Sequence, residues 1–523
     1  MKHPGTSSGG KPRTPRNPAK STGTGRNFRN SRTGYAYRSK TRRDPARDVA
    51  FQALRRVDQD HAYANLVLPG LIERARLHRR DAAFATELVY GTLRLQGRYD
   101  AIIGLLSDRD IAALDPELVT VLRMGIHQIL QMRVEDYAAV DTMVDLARDR
   151  LSAGPAGMVN AVLRKVTEHD LSYWLDAITS GLTGEKTLSR AFSYPEWIVW
   201  ALRDALVATG RDAGELPGLL HAQNRPAYVT LCARPGLISA DELATAAETY
   251  LDADTRLGEL SDCAVVLSGG DPRRLRAVER GLAGVEDEGS QLVAKVLAAA
   301  PVTGVERTWV DLCAGPGGKT ALLAGLARSR DVSVIANEVS PHRAELVRDS
   351  TKAFTDQIVQ VLQGDGRDFG GLHPGKADRV LVDAPCSGLG SLRRRPEARW
   401  NKSATDLKDL TALQQDLLRS ALETVKPGGV VGYATCSPHL AETRQVVETT
   451  VKNRADLQVL DAPAVAREII VNSEHDLGLG PYLQLWPDRD GTDAMFLALI
   501  QKKSPTEEAI APKQSETDLE IRQ

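Results

Sequence analysis

The sequence predicts a multi-domain protein in which an N-terminal all-α bundle precedes a small α+β module and a C-terminal α/β domain. Its 523 residues suffice for about three domains of roughly 150 residues each. Apolar residues such as Val119, Leu122 and Ile126 recur at helical spacing in the N-terminal third. After about residue 301, short apolar runs alternate with helical segments. Because this alternation is typical of a mostly parallel sheet covered by helices on both faces, we expect that architecture in the C-terminal domain.

Composition divides the chain into five parts. Residues 1–43 hold twelve of the 67 Lys and Arg residues, no acid and few large apolar side chains, which predicts a disordered basic arm. Residues 504–523 are similarly polar but acidic, which predicts a disordered acidic tail. Between them we predict the helical domain over 44–170, the α+β module over 171–300 and the α/β domain over 301–503.

Charge and cysteine content narrow the class of protein. The formal net charge is −1, but outside the arm 55 basic residues face 68 acidic ones. A basic arm on an acidic body favours a polyanionic partner such as nucleic acid. We find no apolar stretch of the roughly 18 to 20 residues that span a membrane. The five cysteines lack C-x-x-C spacing, which disfavours a disulfide framework and a zinc site. We therefore expect a cytoplasmic protein with free thiols and no membrane or metal partner.

The predicted elements follow in chain order. In the helical domain, Asp115-Pro116 predicts a helix start, because the aspartate can cap free N–H groups and proline suits the first turn. In the α+β module, residues 197–206 predict a helix and residues 228–232 a strand. In the α/β domain the predicted strands are 308–312, 332–336, 358–362, 379–382 and 430–435, and the predicted helices are 319–327 and 407–425.

The first of these strands leads into a glycine-rich turn, Asp311-Leu312-Cys313-Ala314-Gly315-Pro316-Gly317-Gly318-Lys319-Thr320. A phosphate-binding P-loop would need glycine where Cys313 stands, and a dinucleotide fingerprint would need glycine where Thr320 stands. What remains is a turn before a helix N-terminus, where the backbone can approach a small ligand closely. Glu338 ends the next strand, where a carboxylate can accept hydrogen bonds from both ribose hydroxyls of a nucleoside. The pattern favours a nucleoside cofactor without a pyrophosphate, of which S-adenosylmethionine is the common one.

Two further motifs place a thiol after a predicted strand. Asp383-Ala384-Pro385-Cys386-Ser387 follows one apolar run, and Thr435-Cys436-Ser437 ends the next. A free cysteine is most often a small packing residue. Two thiols that end strands of one sheet, each followed by serine, instead favour a shared site over the ligand crevice. Cys436 and His439 also have the spacing of a Cys/His dyad, but no third group orients the histidine, which disfavours a peptidase-like site.

Together these motifs resemble the RNA (cytosine-5) methyltransferases, specifically the bacterial 16S ribosomal RNA branch often called the Sun family. The matching residues are 311–320, 364–367 (Gly-Asp-Gly-Arg), 383–387, 392–400 and 435–437. Residues 44–170 resemble the antitermination factor NusB, an RNA-binding helical fold, notably over 88–92 and 159–164. The resemblance implies a NusB-like bundle, the small α+β module and a Rossmann-like S-adenosylmethionine-dependent methyltransferase domain.

The resemblance also implies roles for individual residues. Cys436 would attack C6 of a specific cytosine, Cys386 would resolve the covalent adduct, and Asp383 would bind the N3 edge of the base. Glu338 would hold the ribose of the cofactor, and Asp365 would read the adenine amino group. The remaining implied cofactor contacts come from Asp383 and the turn, namely Cys313, Ala314, Gly315, Pro316, Gly317, Gly318 and Lys319.

The chain departs from the pattern of this family at three places. Gly315 stands where the family usually has alanine, and Glu338 stands where it commonly has aspartate. After Cys436 the family often reads Pro-Glu-Glu-Asn, whereas this chain reads Pro438-His439-Leu440-Ala441-Glu442-Thr443.

A basic segment follows the first thiol motif. Cations for phosphates and an aromatic ring for base stacking are typical of surfaces that bind single-stranded RNA, although a solvated charged loop is the alternative. We therefore expect a monomer whose partner is small-subunit ribosomal RNA. The same chemistry on transfer RNA or another RNA, and a non-catalytic RNA-binding or ribosome-assembly factor, remain open. The expected RNA contacts are Arg393, Arg394, Arg395, Arg399, Trp400 and Lys402.

Overall fold

The structure, a computed structural model, describes residues 44–504. The predicted basic arm (1–43) and, apart from Ser504, the predicted acidic tail (504–523) lie outside the described residues. None of the helices between residues 44 and 504 combines the length and the apolar character that crossing a membrane requires.

Within the described residues, eleven α-helices precede the first strand. The first eight enclose one apolar core that includes Phe51, Leu88 and Leu122. The predicted helix start is confirmed, since Asp115 Oδ1 accepts a hydrogen bond from the N–H of Glu117 at 2.8 Å. The helices are α1 (Pro45–Asp60), α2 (Ala64–Ala75), α3 (Arg79–Arg94), α4 (Gln96–Leu106), α5 (Pro116–Leu130), α6 (Asp136–Arg150), α7 (Ala153–Val166), α8 (Leu171–Thr179), α9 (Gly184–Phe192), α10 (Glu196–Ala208) and α11 (Leu216–Gln223).

A small antiparallel sheet follows the helices. Its strand order is β2-β3-β1-β4, and Leu231 of the central strand β1 pairs with Val265 of β3 and Val285 of β4. The strand predicted over 228–232 is β1, so the predicted α+β character of this module is confirmed. The elements are β1 (Val229–Ala233), α12 (Ala240–Leu251), β2 (Thr255–Leu257), β3 (Ala264–Leu267), α13 (Arg276–Glu279) and β4 (Ala283–Val285).

The C-terminal part is built on a larger mixed sheet with the strand order β10-β12-β9-β8-β5-β6-β7. The five strands from β5 to β9 run parallel, whereas β10, β11 and β12 are antiparallel additions at one edge. The elements are α14 (Glu288–Ala299), β5 (Thr308–Asp311), α15 (Gly318–Arg328), β6 (Ser333–Glu338), α16 (Pro341–Thr351), β7 (Val359–Gln363), α17 (Gly366–Leu372), β8 (Ala377–Asp383), α18 (Ala398–Asn401), α19 (Asp406–Thr424), β9 (Val425–Thr435), α20 (Arg444–Val451), β10 (Leu457–Leu460), α21 (Ala462–Arg467), β11 (Leu483–Gln484) and β12 (Phe496–Lys502).

Helices cover both faces of this sheet. Successive strand residues point to opposite faces, so that Trp309 packs in the core under α14 and α15 while Val310 packs in the core under α17 and α19. Each strand predicted in this domain is present within a few residues of its expected position, and the predicted α/β class is confirmed. The carboxyl ends of β5, β6, β8 and β9 meet at one edge, where the predicted motifs lie.

Candidate functional site

The glycine-rich turn links β5 to α15 and determines the floor of the site. Gly317 caps α15 with φ of 105°, a left-handed conformation that favours glycine. A Cβ built at Gly317 would lie 2.8 Å from the Cβ of Ser350 and 2.9 Å from the Cα of Val347 on α16. Only glycine therefore allows α16 to pack this closely against the turn.

Glu338 ends β6 directly beneath the turn. Its Oε2 accepts a hydrogen bond from the N–H of Gly315 at 3.0 Å, and its Oε1 accepts one from the N–H of Ser340 at 2.9 Å. Arg343 Nη2 lies 3.3 Å from Oε2 and also donates to the carbonyl of Gly315 at 2.7 Å. The carboxylate is only 2% exposed, so the expected ribose acceptor also holds the turn in place.

A third loop reaches the same edge through Asn337, which sequence reasoning missed. Its Nδ2 donates to the carbonyls of Leu312 and Gly364 at 3.1 and 3.0 Å and so joins the first turn to the loop after β7. Asp365 follows in that loop, where its Oδ1 accepts a hydrogen bond from the N–H of Arg367 at 2.9 Å and caps α17. The Arg367 guanidinium beside it lowers the pKa of the Asp365 carboxyl.

Three charged residues lie between the turn and the thiols. Lys319 Nζ donates to Asp383 Oδ2 at 2.8 Å, which joins two residues predicted from separate motifs. Although burial disfavours the ammonium, the carboxylates of Asp383 and Glu286 raise the pKa of Lys319. Asp311 Oδ2 accepts a hydrogen bond from the Thr320 hydroxyl at 2.6 Å, whereas its buried Oδ1 has no partner. Burial raises the pKa of Asp311 to about 7.

The structure brings the two predicted thiols together. Cys386 Sγ and Cys436 Sγ are 3.4 Å apart, although 50 residues separate them in the chain. The hydrogen bond from Cys386 lowers the pKa of Cys436, and the same contact, together with burial, raises the pKa of Cys386. His439 Nδ1 accepts a hydrogen bond from the N–H of Ala441 at 3.1 Å, so this ring nitrogen caps a turn. Across residues 44–504, no group of three or more His, Cys, Asp or Glu residues is arranged to hold a metal ion.

A buried carboxylate that sequence reasoning missed links the two thiol loops. Glu442 is fully buried, and its oxygens accept hydrogen bonds from the N–H and the hydroxyl of Ser387 and from the hydroxyl of Ser437. Each serine directly follows one of the cysteines. The repeated Cys-Ser pair was the sequence signal that could have indicated a shared partner.

The basic segment lies differently from what its charges predict. Arg399 is fully buried, donates to the carbonyl of Arg94 at 2.9 Å and stacks over the Tyr194 ring at 3.8 Å. The expected contact of Arg399 with RNA is therefore corrected: its guanidinium joins the helical part to the α/β part instead. Trp400 packs against Gly97 of α4, where a Cβ would lie 2.5 Å from the indole ring, and keeps part of its surface exposed.

The other cations of this segment differ in how free they are. Arg393 and Arg394 form ion pairs with the buried carboxylates of Asp493 and Asp287 at 2.6 and 3.1 Å, which leaves little of Arg393 exposed. Arg395 is exposed, with its guanidinium 5.3 Å from the ring centroid of Tyr63, and Lys402 is half-buried. Arg395, Trp400 and Lys402 thus stay available for the predicted RNA contact.

Comparison with known proteins identifies the family. The family model described as 16S rRNA methyltransferase RsmB/F matches residues 296–501, and the NusB family model matches residues 44–168. "Putative methyltransferase Rv1407" of Mycobacterium tuberculosis is 47% identical over 461 residues, which cover 88% of this chain and 97% of that protein. The chain belongs to the RsmB/F family. The predicted Sun-type resemblance and the NusB-like character of the helical part are therefore confirmed.

This RsmB/F methyltransferase matches its relatives over most of its length. The ribosomal RNA small subunit methyltransferase B of Xanthomonas campestris is 30% identical over 427 residues, covering 81% of this chain and 90% of that protein. The crystal structure of PH0851 covers 88% of this chain and 99% of its own with a TM-score of 0.72 and 22% identity, which shows a shared fold. The RsmB/F methyltransferase acts on RNA and uses S-adenosylmethionine, as the glycine turn and Glu338 predicted.

Proposed function

We propose that this methyltransferase transfers a methyl group from S-adenosylmethionine to C5 of a cytosine in 16S ribosomal RNA, through a covalent adduct on Cys436. The observation that carries the proposal is the pair of thiols 3.4 Å apart, beside the Lys319–Asp383 ion pair at the carboxyl ends of β8 and β9. The family description and the small-subunit relative support 16S ribosomal RNA as the substrate.

The cofactor site is argued from the residues around the turn. When bound, S-adenosylmethionine supplies an electrophilic methyl group. The glycine turn offers a close backbone approach, and the unpartnered Asp311 Oδ1 is a buried acceptor suited to a cationic ligand group. Glu338 would accept hydrogen bonds from the ribose once Arg343 shares the carboxylate with it, and Asp365 would accept one from the adenine amino group. These residues fit the cofactor.

The thiol of Cys436 makes an unreactive carbon reactive. C5 of cytosine is a poor nucleophile, but addition of a thiolate to C6 breaks the C5–C6 double bond and turns C5 into an enamine carbon. The pKa of Cys436 is lowered by the hydrogen bond from Cys386, which favours the thiolate needed for this step. Asp383, held by Lys319, hydrogen-bonds the N3 edge and stabilises the charge that develops there. The cytosine must leave its stack to reach this pocket.

Cys386 then assists release. After methylation the C5 proton must leave, and the C6–S bond breaks as its electrons expel Cys436 as a thiolate and C5=C6 forms again. The contact with Cys436 is the main reason that the pKa of Cys386 is raised. When Cys436 is bonded to carbon this anionic neighbour is gone, so Cys386 can lose its proton to solvent and accept the one from C5.

Replacing each thiol separately tests this mechanism. With a 16S ribosomal RNA transcript and labelled S-adenosylmethionine, Cys436→Ala should lose methyl transfer and form no covalent complex. Cys386→Ala should transfer the methyl group once and stay bonded to the product, visible as a slow band on a denaturing gel. Cys263→Ala, which removes a buried thiol of the small sheet module, is the matched control.

Three results would contradict parts of the proposal. A covalent band with the Cys436 variant would exchange the roles of the two thiols. Full activity of both variants would exclude the cysteine mechanism. Transfer to a transfer RNA transcript but not to 16S ribosomal RNA would favour the alternative substrate, and no transfer to any RNA by the unaltered protein would favour a non-catalytic RNA-binding factor.

A further inference from the structure

Glu442 makes the densest set of side-chain hydrogen bonds next to the thiols. It ends a single helical turn (Leu440–Glu442) between β9 and α20, and its side chain is fully buried. Its Oε1 accepts a hydrogen bond from the N–H of Ser387 at 2.7 Å. Its Oε2 accepts hydrogen bonds from the hydroxyls of Ser387 and Ser437 at 2.5 and 2.6 Å. One carboxylate thus binds both loops that carry the thiols.

Other elements hold Glu442 itself in place. Gln414 on α19 donates from Nε2 to Glu442 Oε1 at 3.2 Å and to the carbonyl of Pro385 at 2.9 Å. The Tyr433 hydroxyl on β9 donates to the backbone carbonyl of Glu442 at 2.7 Å. The carboxylate is therefore anchored to a long helix and to a central strand, and it can act as a fixed reference point for both loops.

Stability alone is a poor reason for this arrangement. Burying a carboxylate is costly, and a buried polar cluster is often no more stable than apolar residues of similar volume. Here every bond of the cluster reaches a residue directly after Cys386, directly before it, or directly after Cys436. We propose that Glu442 is a positioning residue that holds the sulfur atoms of Cys386 and Cys436 in contact. This role rests on the proposed function of the two thiols.

The charge of Glu442 also divides the work between the thiols. Besides the contact with Cys436 and burial, the Glu442 carboxylate raises the pKa of Cys386. The proton of the pair therefore stays on Cys386, which donates it in a hydrogen bond to the sulfur of Cys436. Loosening the loops would remove that donor and raise the pKa of Cys436 towards that of an ordinary thiol.

Thiol reactivity tests the proposal without RNA or cofactor. Both sulfurs belong to partly exposed residues, so iodoacetamide can reach them, and mass spectrometry of the Cys436 peptide gives its alkylation rate against pH. We expect Glu442→Gln to move the midpoint of this profile to higher pH by at least about half a unit, a roughly threefold loss of thiolate near neutral pH. Phenylarsine oxide, which bridges two neighbouring thiols, should also react more slowly with the variant.

A matched control separates positioning from general stability. Glu306 is a largely buried carboxylate that binds Arg379 and Trp309 at the opposite ends of β8 and β5. Glu306→Gln should lower the melting temperature without moving the alkylation profile of Cys436. Affinity for S-adenosylhomocysteine should stay unchanged in Glu442→Gln, because Glu442 contacts none of the residues around the glycine turn.

Milder variants keep the test decisive if Glu442→Gln fails to fold. Ser437→Ala removes one of the bonds and should move the Cys436 profile in the same direction by less, and its effect should not add to that of Glu442→Gln. Unchanged alkylation and arsenical bridging in folded Glu442→Gln, or in Ser437→Ala and Ser387→Ala together, would overturn the positioning role. A failure of the proposed function is distinct, since it would appear as methyl transfer by the Cys436 variant.

Discussion

Replacing Gly315 by alanine should displace Glu338 from beneath the glycine turn. A Cβ at Gly315 would lie 2.5 Å from Glu338 Oε2 and 2.6 Å from Arg343 Nε, closer than non-bonded atoms approach. The carboxylate has little room to move, since it is 2% exposed and binds the N–H groups of Gly315 and Ser340. A displaced carboxylate leaves a buried N–H without a partner, at a cost of about 1–3 kcal/mol.

A second substitution should restore the fit. Glu338→Asp shortens the side chain by one methylene, and the double variant Gly315→Ala/Glu338→Asp recreates the pair that the family commonly has. We expect Gly315→Ala to weaken binding of S-adenosylhomocysteine by about 5- to 150-fold, the equivalent of about 1–3 kcal/mol. The double variant should recover most of that loss, because the new methyl group occupies the space that the longer carboxylate vacates.

Isothermal titration calorimetry with S-adenosylhomocysteine measures this coupling, and thermal unfolding reports the stability of the turn. Gly371→Ala on α17 is the matched control, because a Cβ there meets no atom within 4 Å. The reasoning is refuted if Gly315→Ala binds as tightly as the unaltered protein, or if the double variant loses the sum of the two single losses.

Three further predictions address other parts of the molecule. Arg399→Met keeps the buried volume but leaves three carbonyls without their donor, so its melting temperature should fall by the equivalent of about 1–3 kcal/mol per carbonyl, unlike that of Lys402→Met. Asp311 has a folded pKa of about 7, above its ordinary value, so the folded state loses stability as pH rises from about 4 to 7. The melting temperature of Asp311→Asn should therefore gain on that of the unaltered protein between pH 5 and 8, and a constant difference would contradict this. Deleting residues 1–43 should flatten the salt dependence of RNA binding by a slope of about 0.7 per lost phosphate contact and leave cofactor affinity unchanged; an unchanged slope would exclude the arm from binding.

The elements of the α/β domain were predictable where local pattern and burial agree. Buried parallel strands read as short apolar runs, and β8 and β9 both contain one. The antiparallel edge was missed because β12 enters between β9 and β10, and pairing between distant segments leaves no local signal. The roles expected for the basic segment depended on charge alone, and charge does not say which cations meet buried carboxylates or carbonyls. Arg393 meets Asp493, 100 residues further along the chain, and Arg399 meets Arg94 on α3.

The sequence by itself determined the class of the protein, the cofactor turn and the two thiols, because these depend on local periodicity and on residue chemistry within short motifs. Only the tertiary structure decided which of these residues meet. The register of β8 against β9, in which Asp383 pairs with Ala434, sets the two thiol loops side by side. Glu442 acquires its place because burial forces a carboxylate to find donors, and the donors in reach are the two serines that follow the thiols.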